Sequence, residues 1–166
     1  MKFKALALIA SAFVLGACGG GDNATTDTAA SAVDTTAQAA PAAPAAGAAT
    51  AMPATGTTHT VNMLVDAQGQ YKFEPSEITI KQGDAIKWVM VSGGPHNVAF
   101  QNVPEAAKAQ LLANMPNQAS ELSSPMFMNP NEEYTVSFAG IPAGTYDYVC
   151  TPHLALGMTG KVTVTQ

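Results

Sequence analysis

The stretch Gly144-Thr145-Tyr146-Asp147-Tyr148-Val149-Cys150-Thr151-Pro152-His153-Leu154-Ala155-Leu156-Gly157-Met158 changes character at its cysteine. Up to Val149, tyrosines alternate with polar residues, the period-two pattern of a strand with one buried face. From Cys150 onward, a thiol, an imidazole and a thioether fall within nine residues. Pro152 restricts the loop that carries them, and Gly157 lets the backbone bend so that Met158 can turn back toward the cysteine. The same alternation recurs in Val61-Asn62-Met63-Leu64-Val65, Ile78-Thr79-Ile80, Ile86-Lys87-Trp88-Val89-Met90, Tyr134-Thr135-Val136-Ser137-Phe138 and Val162-Thr163-Val164. Turn signals at Gln68-Gly69, Gln82-Gly83-Asp84, Ser92-Gly93-Gly94-Pro95 and Pro142-Ala143-Gly144 separate these runs. The pattern predicts an all-β domain, a two-sheet antiparallel sandwich of about seven to eight strands. One short helix is expected over Pro104–Asn114, with Pro and Glu in its first turn.

A fourth donor is available in Gly93-Gly94-Pro95-His96-Asn97-Val98-Ala99-Phe100, where a glycine-proline turn opens into an apolar run. Two imidazoles, one thiolate and a weak axial thioether form the trigonal donor set of electron-transfer copper. Zinc sites use paired Cys and His spacings that are missing here, and calcium or magnesium would want carboxylates. A catalytic thiol, with Cys150 as nucleophile and a histidine as base, would explain neither Met158 nor the second histidine. The expected cofactor is therefore one copper ion in a type 1 site, held by His96, Cys150, His153 and Met158.

His96-Asn97-Val98, Cys150-x-x-His153 and Met158-x-Gly160 resemble the copper motifs of the plastocyanin and pseudoazurin group of cupredoxins. The resemblance extends through Asn131–Phe138 and Gly144–Cys150 and covers about residues 60 to 166. It implies a cupredoxin-like Greek-key β-sandwich. It also implies the same four ligands, with Asn97 tying the two ligand loops together. The connection from residue 102 to 128, through Pro125-Met126-Phe127-Met128, departs most from the plastocyanin pattern.

The N-terminal region reads differently. Met1-Lys2-Phe3-Lys4 and the apolar run from Ala5 to Leu15 have the charged start and short hydrophobic middle of a secretory signal. Leu15-Gly16-Ala17-Cys18 resembles a bacterial lipobox, in which the cysteine is acylated and becomes the new N-terminus. The alternatives for Cys18 are a discarded signal-peptide residue or a disulfide to Cys150, which would consume the copper thiolate. Residues 18–59, rich in Ala, Thr and Pro, predict a disordered linker whose coil would reach roughly 35 Å. An alanine-driven helix is the rival reading, weakened by interspersed Thr, Gly, Asp and Pro. His59 is expected to be a solvated residue at the end of this leash. The expected organisation is a lipoprotein signal peptide over 1–17, a lipidated linker over 18–59 and a copper domain over 60–166.

The chain has twelve acidic residues against seven lysines and no arginine, a formal charge of −5, which argues against nucleic-acid binding. The expected partners are redox proteins and, through the lipid anchor, a membrane facing the periplasm or extracellular side. The protein is expected to be a monomer and not an enzyme, moving one electron at a time. Copper delivery or buffering is the second reading. An oxidase would need an open coordination position or a second copper site, which the chain's three histidines cannot supply. Leu154, Ala155 and Leu156, with Gly93, Gly94 and Pro95, form a candidate apolar docking rim around His153, expected to be an exposed electron port; the alternative packs Leu154 and Leu156 inward. Trp88, Tyr146 and Tyr148 are expected in the core. Met63, Met90, Met115, Met126 and Met128 are expected to fill core gaps or lie on loops, rather than form a copper-handling surface.

Overall fold

The computed structural model describes residues 49–166. The expected signal peptide, Cys18 and most of the expected linker lie outside the described residues.

Alternating apolar side chains form eight strands: β1 (Thr58–Val65), β2 (Tyr71–Glu74), β3 (Glu77–Lys81), β4 (Ala85–Met90), β5 (Ala99–Gln101), β6 (Glu133–Ser137), β7 (Gly144–Val149) and β8 (Thr159–Thr165). Helix α1 (Glu105–Asn114) separates β5 from β6, and a 3-10 turn over Thr151–Leu156 follows β7. The strands make two four-stranded sheets, in the orders β2-β1-β4-β6 and β3-β8-β7-β5. Among the described residues, the sandwich and the single short α-helix agree with expectation, but the sheets are not purely antiparallel. β1 pairs with β4, and β3 with β8, in parallel. Parallel neighbours need a crossover rather than a hairpin. The chain supplies one between β1 and β4 by visiting the second sheet as β3, only Pro75 and Ser76 separating β2 from β3.

The inward faces meet in one core. Ile86, Trp88 and Met90 come from β4, Tyr134 and Val136 from β6, Tyr146 and Tyr148 from β7, and Val162 and Val164 from β8, all buried. Trp88 and both tyrosines are core residues, as expected. Met63, Met90 and Met115 are buried, whereas Met126 and Met128 stand in solvent.

Tyr148 is packed between Phe73, Trp88 and Phe100, with ring centroids 4.7, 5.4 and 5.8 Å away. Its ring also lies across Gly160, its cross-strand partner on β8. A Cβ at Gly160 would come within 2.3 Å of the Tyr148 Cζ. The ring has nowhere to retreat, so Gly160→Ala will overpack the core and cost about 2 kcal/mol, read from the urea midpoint. A midpoint unchanged from wild type would mean that the ring relaxes at no cost.

The domain begins earlier than its expected boundary. Thr50 O accepts from Gln110 Nε2 (2.9 Å), and Met52 N–H donates to Asn114 Oδ1 (2.8 Å). Thr55 and Gly56 N–H both donate to Gly83 O at 2.9 Å. The buried Asp84 carboxylate accepts from Thr57 N–H and Lys81 N–H and lies 2.9 Å from His59 Nε2. The last residues of the expected linker are thus pinned to the sandwich, and His59 is an ion-pair partner in β1 rather than a solvated end. The Lys81 amide bond first, then His59, holds the Asp84 carboxyl below its ordinary range. The stability this gives is present at neutral pH and is lost as acid protonates Asp84.

Candidate metal centre

The cysteine arrives at the end of a buried strand. Cys150 follows β7 directly and is fully buried. The loop beyond it closes on itself through backbone bonds: His153 N–H to Cys150 O (3.1 Å), Met158 N–H to His153 O (3.2 Å) and Cys150 N–H to Met158 O (3.1 Å). Gly157 makes the closure possible by adopting φ 82° and ψ 15°, a left-handed conformation that favours glycine. Met158 is thereby held beside Cys150 and His153, and it too is fully buried.

His96 comes from the turn after β4. Its backbone exchanges two hydrogen bonds with Phe127, N–H to O at 3.1 Å and O from N–H at 2.8 Å. Its Nε2 lies 2.8 Å from Ser92 O. A carbonyl can only accept, so Nε2 carries the ring proton and Nδ1 presents a lone pair. That Nδ1 faces Cys150 Sγ at 3.5 Å, and His153 Nδ1 faces the same sulfur at 3.4 Å. The donor atoms of His96, Cys150 and His153 all lie within 4.8 Å of one another. Metal–nitrogen and metal–sulfur bonds of roughly 2.0–2.3 Å span such separations from a single ion. The donors therefore fit a copper ion chemically and sterically, and no other such cluster of His, Cys, Asp or Glu occurs among the described residues.

Asn97 bridges the two ligand loops through its side chain. Its Oδ1 accepts from Thr151 N–H at 2.7 Å, and its Nδ2 donates to Thr151 Oγ1 and Ser123 Oγ, each at 3.1 Å. Residue 97 adjoins one ligand and residue 151 another, so the brace sets their spacing. The connection between α1 and β6 adds a second support. Ser124 N–H donates to Val98 O and Ser124 Oγ accepts from Val98 N–H, both at 2.9 Å.

Nothing in the sequence pointed to Tyr71. Its ring stacks on His153 with centroids 3.9 Å apart and planes 19° from parallel, and it meets His96 edge-on at 6.2 Å. Gly93 allows this approach, since a Cβ there would sit 3.1 Å from Tyr71 Cε1. The aromatic cover also changes the picture of His153, which is only 8% exposed instead of an open port. Around it Gly94 and Pro95 are exposed, and Leu154 and Leu156 are 44% and 57% exposed, so neither leucine packs inward.

Burial pushes the His96 pKa down, and burial followed by the neighbouring His96 does the same for His153. Burial pushes the Cys150 thiol up, partly opposed by the amides of Asn97 and His153. A metal entering this site meets neutral imidazoles and must displace the thiol proton. The histidines also make the metal-free fold sensitive to acid. Above about pH 6.5 both folded and unfolded imidazoles are neutral. Below it the unfolded chain binds protons that the folded chain refuses, so stability falls as pH falls. In a His59→Gln background, metal-free protein will lose about 1 kcal/mol between roughly pH 7 and pH 5.5, measured by urea unfolding. A flat or rising profile would contradict the burial argument.

A family model described as "Copper binding proteins, plastocyanin/azurin family" matches residues 59–165. A plastocyanin of Scenedesmus fuscus is 39% identical over 108 residues, covering 63% of this chain and 97% of that protein. A plastocyanin of Synechococcus sp. is 36% identical over 107 residues, covering 64% of this chain and 73% of that protein. Among solved structures, oxidized plastocyanin from Dryopteris crassirhizoma is 26% identical with a TM-score of 0.48, covering 64% of this chain and 100% of that one.

Proposed function

Because the chain belongs to the plastocyanin/azurin family of copper binding proteins, we propose that it is a one-electron carrier whose copper is held by His96, Cys150, His153 and Met158. The observation that carries the reading is the buried convergence of two imidazole nitrogens on the Cys150 sulfur, 3.4 and 3.5 Å away. When bound, copper supplies the electron to be exchanged. The protein's part is to keep the surroundings still. Cys150, His153 and Met158 sit on one loop closed by backbone bonds, Asn97 ties that loop to His96, and Ser92 O fixes the His96 ring. A scaffold that holds its ligands in place reorganises little between oxidation states. Copper delivery or buffering would favour an open, exchangeable site, and the buried donors argue against it. Among the described residues, His59 is engaged by Asp84, which leaves no histidine for a second copper centre. This supports a carrier rather than an enzyme.

The test is the absorption and paramagnetic-resonance spectrum of purified protein loaded with Cu(II). An intense thiolate-to-copper band that survives dialysis against a strong chelator is expected. Absence of the band in folded protein would overturn the copper reading, and ready bleaching would favour delivery.

Gly94, Pro95, Leu154 and Leu156 are the proposed docking rim, an apolar ring around the one ligand that reaches the surface. Redox partners meet on small patches of this kind because they must part quickly. Two copies of the protein can meet there too, so Leu156→Glu will slow electron self-exchange about tenfold by setting like charges face to face. Nuclear magnetic resonance line broadening measures that rate. Unchanged exchange with an unchanged visible spectrum would place docking elsewhere. Export through residues 1–17, acylation at Cys18 and a tether to a membrane complete the proposal, with a monomeric domain facing periplasmic or extracellular redox proteins. The intact mass of the mature protein tests this, since an unmodified Cys18 would rule out the anchor.

A further inference from the structure

The buried site poses a loading problem. His96, Cys150 and Met158 are fully buried, and His153 is only 8% exposed. A copper donor therefore cannot reach the thiol directly. The chain carries a separate pair of soft ligands on the segment that braces His96. In Met126-Phe127-Met128, Phe127 is buried and bonded in both directions to the His96 backbone, while Met126 and Met128 are 47% and 63% exposed. Side chains two apart on an extended segment share a face, roughly 7 Å apart along the chain. Long, flexible thioether side chains bring two sulfurs onto one ion from that spacing. The other partly exposed methionine among the described residues, Met52, instead packs against Gly140, where its Sδ would lie 2.6 Å from an added Cβ.

We propose that Met126 and Met128 form an outer capture site for Cu(I), from which the ion passes inward to the His96, Cys150 and His153 centre. Thioether sulfur selects Cu(I) over zinc, calcium and magnesium. The nearby carboxylate of Glu132 does not change that preference, because its oxygens accept from Met128 N–H (2.6 Å) and Asn129 Nδ2 (2.7 Å). Two sulfurs alone leave the ion free to take a further ligand, which suits a transient stop. Transfer is a ligand exchange in which copper stays Cu(I). The Cu–thioether bonds break, bonds to Cys150 sulfur and the imidazole nitrogens form, and the Cys150 proton leaves to solvent. No electron moves in this step.

The inference rests on the copper reading, and one experiment separates the two. Wild type and the double variant Met126→Leu, Met128→Leu, a nearly volume-conserving change at exposed positions, are titrated with Cu(I) without oxygen against a chromogenic Cu(I) chelator. The expected result is two bound equivalents in wild type and one in the variant. Loading of metal-free variant is about tenfold slower, with the same visible band after oxidation. One equivalent in wild type, or two in both proteins, overturns the outer site while leaving the carrier reading intact. Loss of the visible band from wild type overturns the carrier reading instead.

Discussion

Replacing Cys150 by serine will abolish the intense visible absorption of the copper-loaded protein. An alcohol keeps nearly the same volume but lacks the soft, polarisable sulfur from which the charge-transfer band arises. Serine is also far harder to deprotonate than the thiol, so the loop presents a weak neutral oxygen. Cu(II) will then be held mainly by His96 and His153, with only weak oxygen and thioether donors beside them and a faint absorption. At least a tenfold loss of band intensity is expected. Metal-free Cys150→Ser protein should fold normally, because no hydrogen bond essential to the sandwich depends on the sulfur. A band of undiminished strength in the variant would show that Cys150 is not a ligand.

Asn97→Ala will be the most damaging change at a residue that is not itself a proposed ligand. Its buried side chain satisfies Thr151 N–H at 2.7 Å and reaches both Thr151 Oγ1 and Ser123 Oγ, the bond to Ser123 buried and those to Thr151 partly so. Alanine removes the partner of the partly buried Thr151 N–H and of the buried Ser123 hydroxyl, and a buried group left unpaired costs about 1–3 kcal/mol. A loss of about 3 kcal/mol in metal-free stability is expected, read from the urea midpoint. The second effect is on the metal. Without the bridge, the His96 turn and the Cys150 loop move independently, and copper affinity should fall about 10- to 100-fold. Competition with a copper chelator measures this. A variant within about 1 kcal/mol of wild type that retains copper equally well would mean that the Ser124–Val98 contacts hold the loops without Asn97.

The strands were legible wherever one face was apolar and the other polar. Tyr134–Phe138 alternates strictly, Tyr146–Tyr148 begins the same way, and the two runs lie in or directly beside β6 and β7. Two short strands were harder to read. β2 (Tyr71–Glu74) and β5 (Ala99–Gln101) contain too few residues to establish a period. The parallel pairing of β1 with β4 was hidden for a different reason. Alternation reports which face of a strand is buried but not the direction of its neighbour. The attachment of residues 50–57 is not legible in the sequence, because they show no apolar period and are held largely through backbone groups that any composition can offer.

The sequence by itself determined the donors: a thiol, two imidazoles and a thioether, with a proline and a glycine shaping the loop between three of them. Ligand preference resides in atom type, so it can be read before any fold is known. Only the tertiary structure decided which atoms meet. His96 and Cys150 are 54 residues apart, and their approach to 3.5 Å depends on strand order and register in two sheets. The stacking of Tyr71 on His153, the pairing of His59 with Asp84 and the outward placement of Met126 and Met128 around a buried Phe127 have the same origin. Each is a contact between segments whose local patterns are indifferent to one another, and packing alone brings them together.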